Sequence, residues 1–171
     1  MIKTSVLTAF MLGVSVSAAS ADPEQANPEM MLPIDLSTPE AATHSMMRAM
    51  YQADAGMVDQ VFIEGAQLRR VTAEGELRPD GLQRWRDWVG TLKTGDAHED
   101  LFALRSEQLG PLATVWAPFL ITYQGDLVGC GVNQLTLAKT EGDWRVVFAM
   151  DTSEPKDTCS DFKARYLTRA G

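Results

Sequence analysis

Between Thr38 and Ala53 the apolar positions Ala42, Met46, Ala49, Met50 and Ala53 recur at three- and four-residue intervals, so one face of a helix is apolar. Its start is marked by Ser37-Thr38-Pro39-Glu40, which supplies a capping residue, a proline suited to the first turn, and a glutamate three residues after the serine. Beyond a break at Asp54-Ala55-Gly56, residues Met57, Val58, Val61 and Phe62 predict a second, short helix, and residues 66 to 71 predict a strand. Pro79-Asp80-Gly81 opens a third helix, in which Leu82, Trp85, Trp88, Val89 and Leu92 share a face and which Gly95 stops. From there the period falls to two. Residues 99 to 107, 113 to 123, 127 to 138 and 143 to 150 read as strands, separated by Gly110-Pro111, Gln124-Gly125-Asp126 and Glu141-Gly142-Asp143. Such short connections favour adjacent antiparallel hairpins.

The order is helix, helix, strand, helix, then four long strands, which predicts an α+β domain with the helices on one face of a single antiparallel sheet. Length and composition agree with one globular domain: 171 residues, 45% hydrophobic and 22% charged. A formal net charge of -8 would repel a phosphate backbone, so nucleic acid is not an expected partner. Two cysteines and two histidines are too few for a four-cysteine zinc site or a histidine-rich metal centre, and neither metal nor cofactor is expected.

The first residues form a separate signal. Lys3 precedes an apolar stretch from Val6 to Val16, followed by small residues ending Ala19-Ser20-Ala21 before Asp22-Pro23, the layout of a cleaved secretory leader. That stretch is shorter than the roughly 20 residues that cross a bilayer core. Residues 1 to 21 are therefore expected to be removed on export to the periplasm or beyond, with no membrane insertion afterwards. Residues 22 to 36, with three prolines, read as a flexible lead-in, residues 37 to 153 as the domain, and 154 to 171 as a tail. In an oxidising compartment Cys130 and Cys159 are more readily a disulfide than two buried thiols or a reactive cysteine. The bridge would close a loop of roughly 30 residues, contribute about 3 to 4 kcal/mol, and pin the tail. There, Phe162 and Tyr166, four apart, suggest a short docking helix.

Two stretches carry a family resemblance: "AMYQADAGMVDQVFIEGAQLRRV", Ala49 to Val71, and "GDLVGCGVNQLTLAKTEGDWRVVFAMDTSE", Gly125 to Glu154. The first is similar to the helix-turn-helix and first strand, and the second to the closing hairpin, of the nuclear-transport-factor-2-like (NTF2-like, SnoaL-like) superfamily. The resemblance covers residues 38 to 153 and implies an NTF2-like cone, a strongly curved antiparallel sheet packed against three N-terminal helices. It further implies a pocket between Met46 and Met50, Trp85 and Trp88, and the sheet, and a homodimer through the outer sheet face. Enzymes of the family place acids in this pocket. At the matching positions this chain has Arg69 and Arg70 on the first strand, no acid from Leu127 to Leu137, and Met46 where a hydroxyl would stand.

The expected function is accordingly the binding of a small, largely apolar molecule in the cone, with no catalytic residue identifiable. Met50, Trp85, Phe102, Trp116 and Asn133 are its expected lining, because aromatic walls with a few oriented polar groups are what small-ligand sites use. Asn133 follows Gly129 and Gly131, where a bulge would shift the alternation, so its face stays open, as do those of Arg69 and Arg70. Two alternatives remain. One is a periplasmic interaction module. The other is an isomerase, dehydratase or cyclase using His98, Asp100, Asn133 or Tyr123, in which only Asp100 shares a strand face with His98.

Overall fold

The computed structural model describes residues 27 to 169; the expected leader, residues 1 to 21, lies outside them. Helix α1 (Pro39–Tyr51) starts one residue later than the capping signature suggests. Thr38, not Ser37, is the cap: its Oγ1 accepts the Ala41 amide at 3.1 Å, while the Ser37 amide donates to Asp35 at 2.9 Å. Helix α2 (Ala55–Val61) is capped by Asp54, whose carboxylate accepts the amides of Gly56 and Met57. It runs directly into strand β1 (Phe62–Val71), and helix α3 (Leu82–Val89) follows after a loop. Residues 27 to 36, part of the expected lead-in, lie against α1 and the sheet: the Gln52 side chain donates to the carbonyls of Met30 and Leu32, and Leu36 accepts the Trp144 amide.

The remaining chain supplies β2 (Ala97–Leu101), β3 (Arg105–Leu109), β4 (Leu112–Tyr123), β5 (Asp126–Thr140), β6 (Asp143–Thr152) and a C-terminal helix α4 (Cys159–Arg169). The sheet order is β1-β6-β5-β4-β2, with β3 pairing the far end of β4. The run expected as one strand over residues 99 to 107 is therefore two. Ala103 takes φ 48°, a left-handed conformation that breaks an extended strand. A second difference is that β1 pairs β6 in parallel, so the sheet is antiparallel except at this edge.

The hairpins form where glycine chemistry places them. Gln124-Gly125 and Glu141-Gly142 each adopt positive φ at both residues, as two-residue turns matching the twist of their strands require. Register shifts interrupt the β1–β6, β4–β5 and β5–β6 ladders. Each shift bends a strand, and together they curve the sheet around α1 to α3. The main core fills the concave side, with Met47, Val61, Val89, Val115, Leu135, Leu137 and Val146 almost wholly buried.

Helix α4 lies on the opposite, convex face. The disulfide Cys130–Cys159, 29 residues apart in sequence with Cα atoms 5.6 Å apart, ties it to β5. Phe162 and Tyr166 pack there with Val132, Leu120 and Phe102. The outer face that the resemblance assigns to pairing of two copies is thus covered at this end by the chain's own tail. Among the described residues, no helix is long and apolar enough to cross a membrane.

Candidate active site

Between the helices and the concave sheet lies a cavity of about 710 Å³. Met46 and Met50 of α1, Trp85 and Trp88 of α3, Leu68 of β1 and Ile121 of β4 form its apolar wall. The two tryptophans are anchored by other rings: Trp85 meets Phe62 edge-on at 6.1 Å and Trp88 leans on Tyr123 at 6.4 Å. Arg69 and Arg70 of β1, Arg78 and Gly81 of the following loop, and Arg84 of α3 form one polar side. That loop runs back along the free edge of β1, with Arg78 and Gly81 donating their amides to the carbonyls of Arg70 and Leu68.

The catalytically able groups come from the sheet. On β2, Ala97, Glu99 and Leu101 alternate on the inward face, which puts the Glu99 carboxyl between a fully buried alanine and a core leucine. Asn133 of β5 also points inward, nearly buried, and its Nδ2 donates to Glu99 Oε2 at 2.8 Å. The bulge near the glycines falls at Val128, between the pairs Ile121 with Gly129 and Thr122 with Leu127. Alternation is regular beyond it, and Asn133 shares the face of Leu135 and Leu137. Asp151 of β6 stands beside Asn133 on one side and Arg70 on the other. Arg70 grips it with both arms, Nε to Oδ1 at 2.7 Å and Nη2 to Oδ2 at 2.5 Å.

Glu99 and Asp151 are therefore two carboxyls in very different surroundings. Burial at the cavity wall pushes Glu99 up from the ordinary 4.5 to about 7. The Asn133 hydrogen bond opposes the rise, the Asp151 charge adds to it, and the Arg70 charge offsets part of it. Arg70, in turn, is raised by its hydrogen bonds to Asp151. A carboxyl poised near neutrality beside an apolar chamber is equipped both to take and to give a proton.

Of the expected lining, Met50, Trp85 and Asn133 border the cavity, whereas Phe102 and Trp116 do not. Phe102 sits past the end of β2 and packs on Phe162 and Tyr166 of α4, on the convex side. Trp116 alternates with the inward Val115 and Ala117, so it faces out and is 39% exposed. His98 and Asp100 do share a face and bond at 2.8 Å, but it is the face of β2 opposite Glu99: neither lines the cavity, and His98 packs edge-on against Tyr51 at the end of α1. The residues sequence reasoning missed are Glu99 and Asp151. Their signal was the same period of two: each lies two positions from an inward alanine, Ala97 or Ala149. Among the described residues, no group of three or more His, Cys, Asp or Glu side chains converges as metal ligands.

No protein-family model matches the chain, and no curated protein matches it in sequence. Solved structures do. An NTF2-like protein of unknown function from Shewanella baltica superposes with a TM-score of 0.54 at 18% identity, over 67% of this chain and 89% of that one. A protein described as a candidate dehydratase of the NTF2-like family from Streptomyces avermitilis gives 0.56 at 13% identity, over 70% and 95%. A cystatin-like-fold protein of unknown function from Nostoc punctiforme gives 0.54 at 13% identity, over 68% and 88%. At these identities the likeness is one of fold: the chain has the NTF2-like fold, as its sequence implied.

Proposed function

We propose that this protein takes up a small, largely apolar molecule in its cone and moves a proton on it, with Glu99 as the acid–base group. The observation that carries this is a single carboxyl, inward on β2, oriented by Asn133 and held near neutrality at the wall of a cavity large enough for a small organic molecule. Among the described residues only Asn133 hydrogen-bonds this carboxyl, at Oε2, so Oε1 is the atom free to exchange a proton with a ligand. Asp151 cannot share the task, because both its oxygens are held by Arg70. Its role is to anchor Arg70 and to keep a negative charge near Glu99.

Proton removal by Glu99 at one atom of the ligand and return at another would be an isomerisation. Return to a departing hydroxyl would be a dehydration. The description of the Streptomyces avermitilis protein as a candidate dehydratase is compatible with the second. Export is part of the same proposal, supported by the leader pattern and the disulfide.

The test is proton exchange at carbon. A panel of small ketones and β-hydroxy carbonyl compounds is incubated in D2O, and deuterium uptake next to the carbonyl is followed by NMR. Wild-type protein is expected to accelerate exchange for at least one member, and Glu99→Gln to lose on the order of 100-fold or more of that rate. Acceleration that survives Glu99→Gln, or none across the panel, would overturn the proposal.

A further inference from the structure

Four arginines line the cavity, Arg69, Arg70, Arg78 and Arg84, against two carboxyls, Glu99 and Asp151. These acids do not neutralise the arginines. Asp151 and Arg70 satisfy each other, so that pair is closed. The hydrogen bond of Glu99 goes to Asn133, not to a guanidinium. Arg69 alternates with the inward Arg70, so it leaves β1 on the other face and donates its Nε to the Arg78 carbonyl at 2.8 Å, bracing that loop. Arg78 comes within 3.2 Å of Glu76, but those side chains are 54% and 62% exposed, so the pair is loose and screened. Arg84 forms no ion pair within 4 Å among the described residues; Asp80, on the loop before α3, feels its charge but uses Oδ1 to accept the amides of Leu68 and Leu82.

A chain with a formal net charge of -8 thus sets two guanidinium groups without committed carboxylates, Arg78 and Arg84, at the mouth of one chamber. Like charges placed together repel, and an anion seated among them removes that cost while gaining charge-assisted hydrogen bonds. We infer that the ligand of this cavity is an organic anion, its carboxylate or phosphate head held by Arg78 and Arg84 and its apolar body lying against Met46, Met50, Trp85 and Trp88. This names the substrate class of the site assigned above and rests on that assignment. Planar guanidinium forks suit the paired oxygens of either head, and the adjacent tryptophans and methionines suit a hydrocarbon or aromatic body. Capture of the head by arginines on the loop after β1 and on α3 leaves the body to reach Glu99 on β2.

Three probes with one body and different heads test it: 3-phenylpropanoate, 3-phenylpropyl phosphate and 3-phenylpropan-1-ol. Their affinities are measured by calorimetry and tryptophan fluorescence. At least one anion is expected to bind about tenfold or more tighter than the alcohol, and the tighter of the two identifies the head group. In Arg78→Gln/Arg84→Gln that preference falls to near unity while alcohol affinity holds. Arg84 is exposed, so the single variant Arg84→Gln gives a folded protein in which the preference is reduced. Glu99→Gln does not lower the preference, because Glu99 serves proton transfer and not charge capture, and its loss removes a negative charge from the cavity wall. Equal affinity for all three heads, or a preference that survives removal of both arginines, overturns the inference alone. Failure of every probe to bind at millimolar concentration overturns the ligand-cavity reading together with it.

Discussion

Glu99 differs from its neighbours by one position in a strand. His98 and Asp100 point away from the cavity and bond each other, while Glu99 turns toward it beside Asn133. The consequence for stability has a definite sign. The folded carboxyl binds its proton more tightly than the ordinary 4.5, up to about 7, so between those values the native state holds more protons than the unfolded one. Stability from this group is therefore lost as pH rises from about 4.5 to about 7, and the loss is complete above that. A shift of this size corresponds to about 3 kcal/mol. Glu99→Gln, whose carbonyl still accepts from Asn133, is expected to gain about that much on wild type between pH 4 and pH 8.5, read by urea unfolding at both. Equal differences at the two pH values would contradict it. The neighbours set the value in opposite directions: Asp151→Asn should lower the Glu99 pKa, and Arg70→Gln should raise it. This residue was legible in the sequence through the alternation of Ala97, Glu99 and Leu101, whereas a whole acidic run at a strand start suggests a solvated edge. What separates the two is which side of β2 the helices cover.

Among the elements, β5 and α4 carry the clearest sequence logic. A Cβ at Gly131 would collide with the Thr152 carbonyl and press on the Phe119 ring, both fixed parts of the sheet. At Gly129 the nearest atoms would be 3.7 Å away, an ordinary contact. Gly131→Ala is expected to cost about 3 kcal/mol and Gly129→Ala about 1 kcal/mol or less, by chemical denaturation. Near-equal costs would place the close approach elsewhere. Helix α4 depends on its bridge. Replacing both Cys130 and Cys159 by serine should remove about 3 kcal/mol and expose the amides of residues 159 to 168 to rapid hydrogen exchange, with the β4–β6 ladder still protected. Loss of protection across the ladder as well would show that α4 is integral to the sheet. Helices, hairpin turns and the docking tail were readable because each rests on local chemistry: caps, glycines at positive φ, aromatics four apart. The split of residues 99 to 107 and the parallel pairing of β1 with β6 were not, since one depends on the single left-handed Ala103 and the other on contacts distant in sequence.

For the molecule as a whole, the cavity is a product of curvature. Three register shifts bend the sheet away from α1 and α3, and the space left is lined from seven elements and one loop. No local pattern announces such a volume, which is why the resemblance pointed to Met50 and Trp85 at its wall, while the face of Asn133 stayed open in the sequence and Phe102 and Trp116 lie on the convex side. The whole arrangement matters to one atom pair, the Glu99 carboxyl oxygens, because apolar walls and the closed Arg70–Asp151 pair together set where that carboxyl titrates. Following the Glu99 side-chain carboxyl carbon by NMR through a pH series measures this directly. The account predicts a midpoint at about 7, moving down in Asp151→Asn; a midpoint at the ordinary 4.5, unmoved by that substitution, would contradict it.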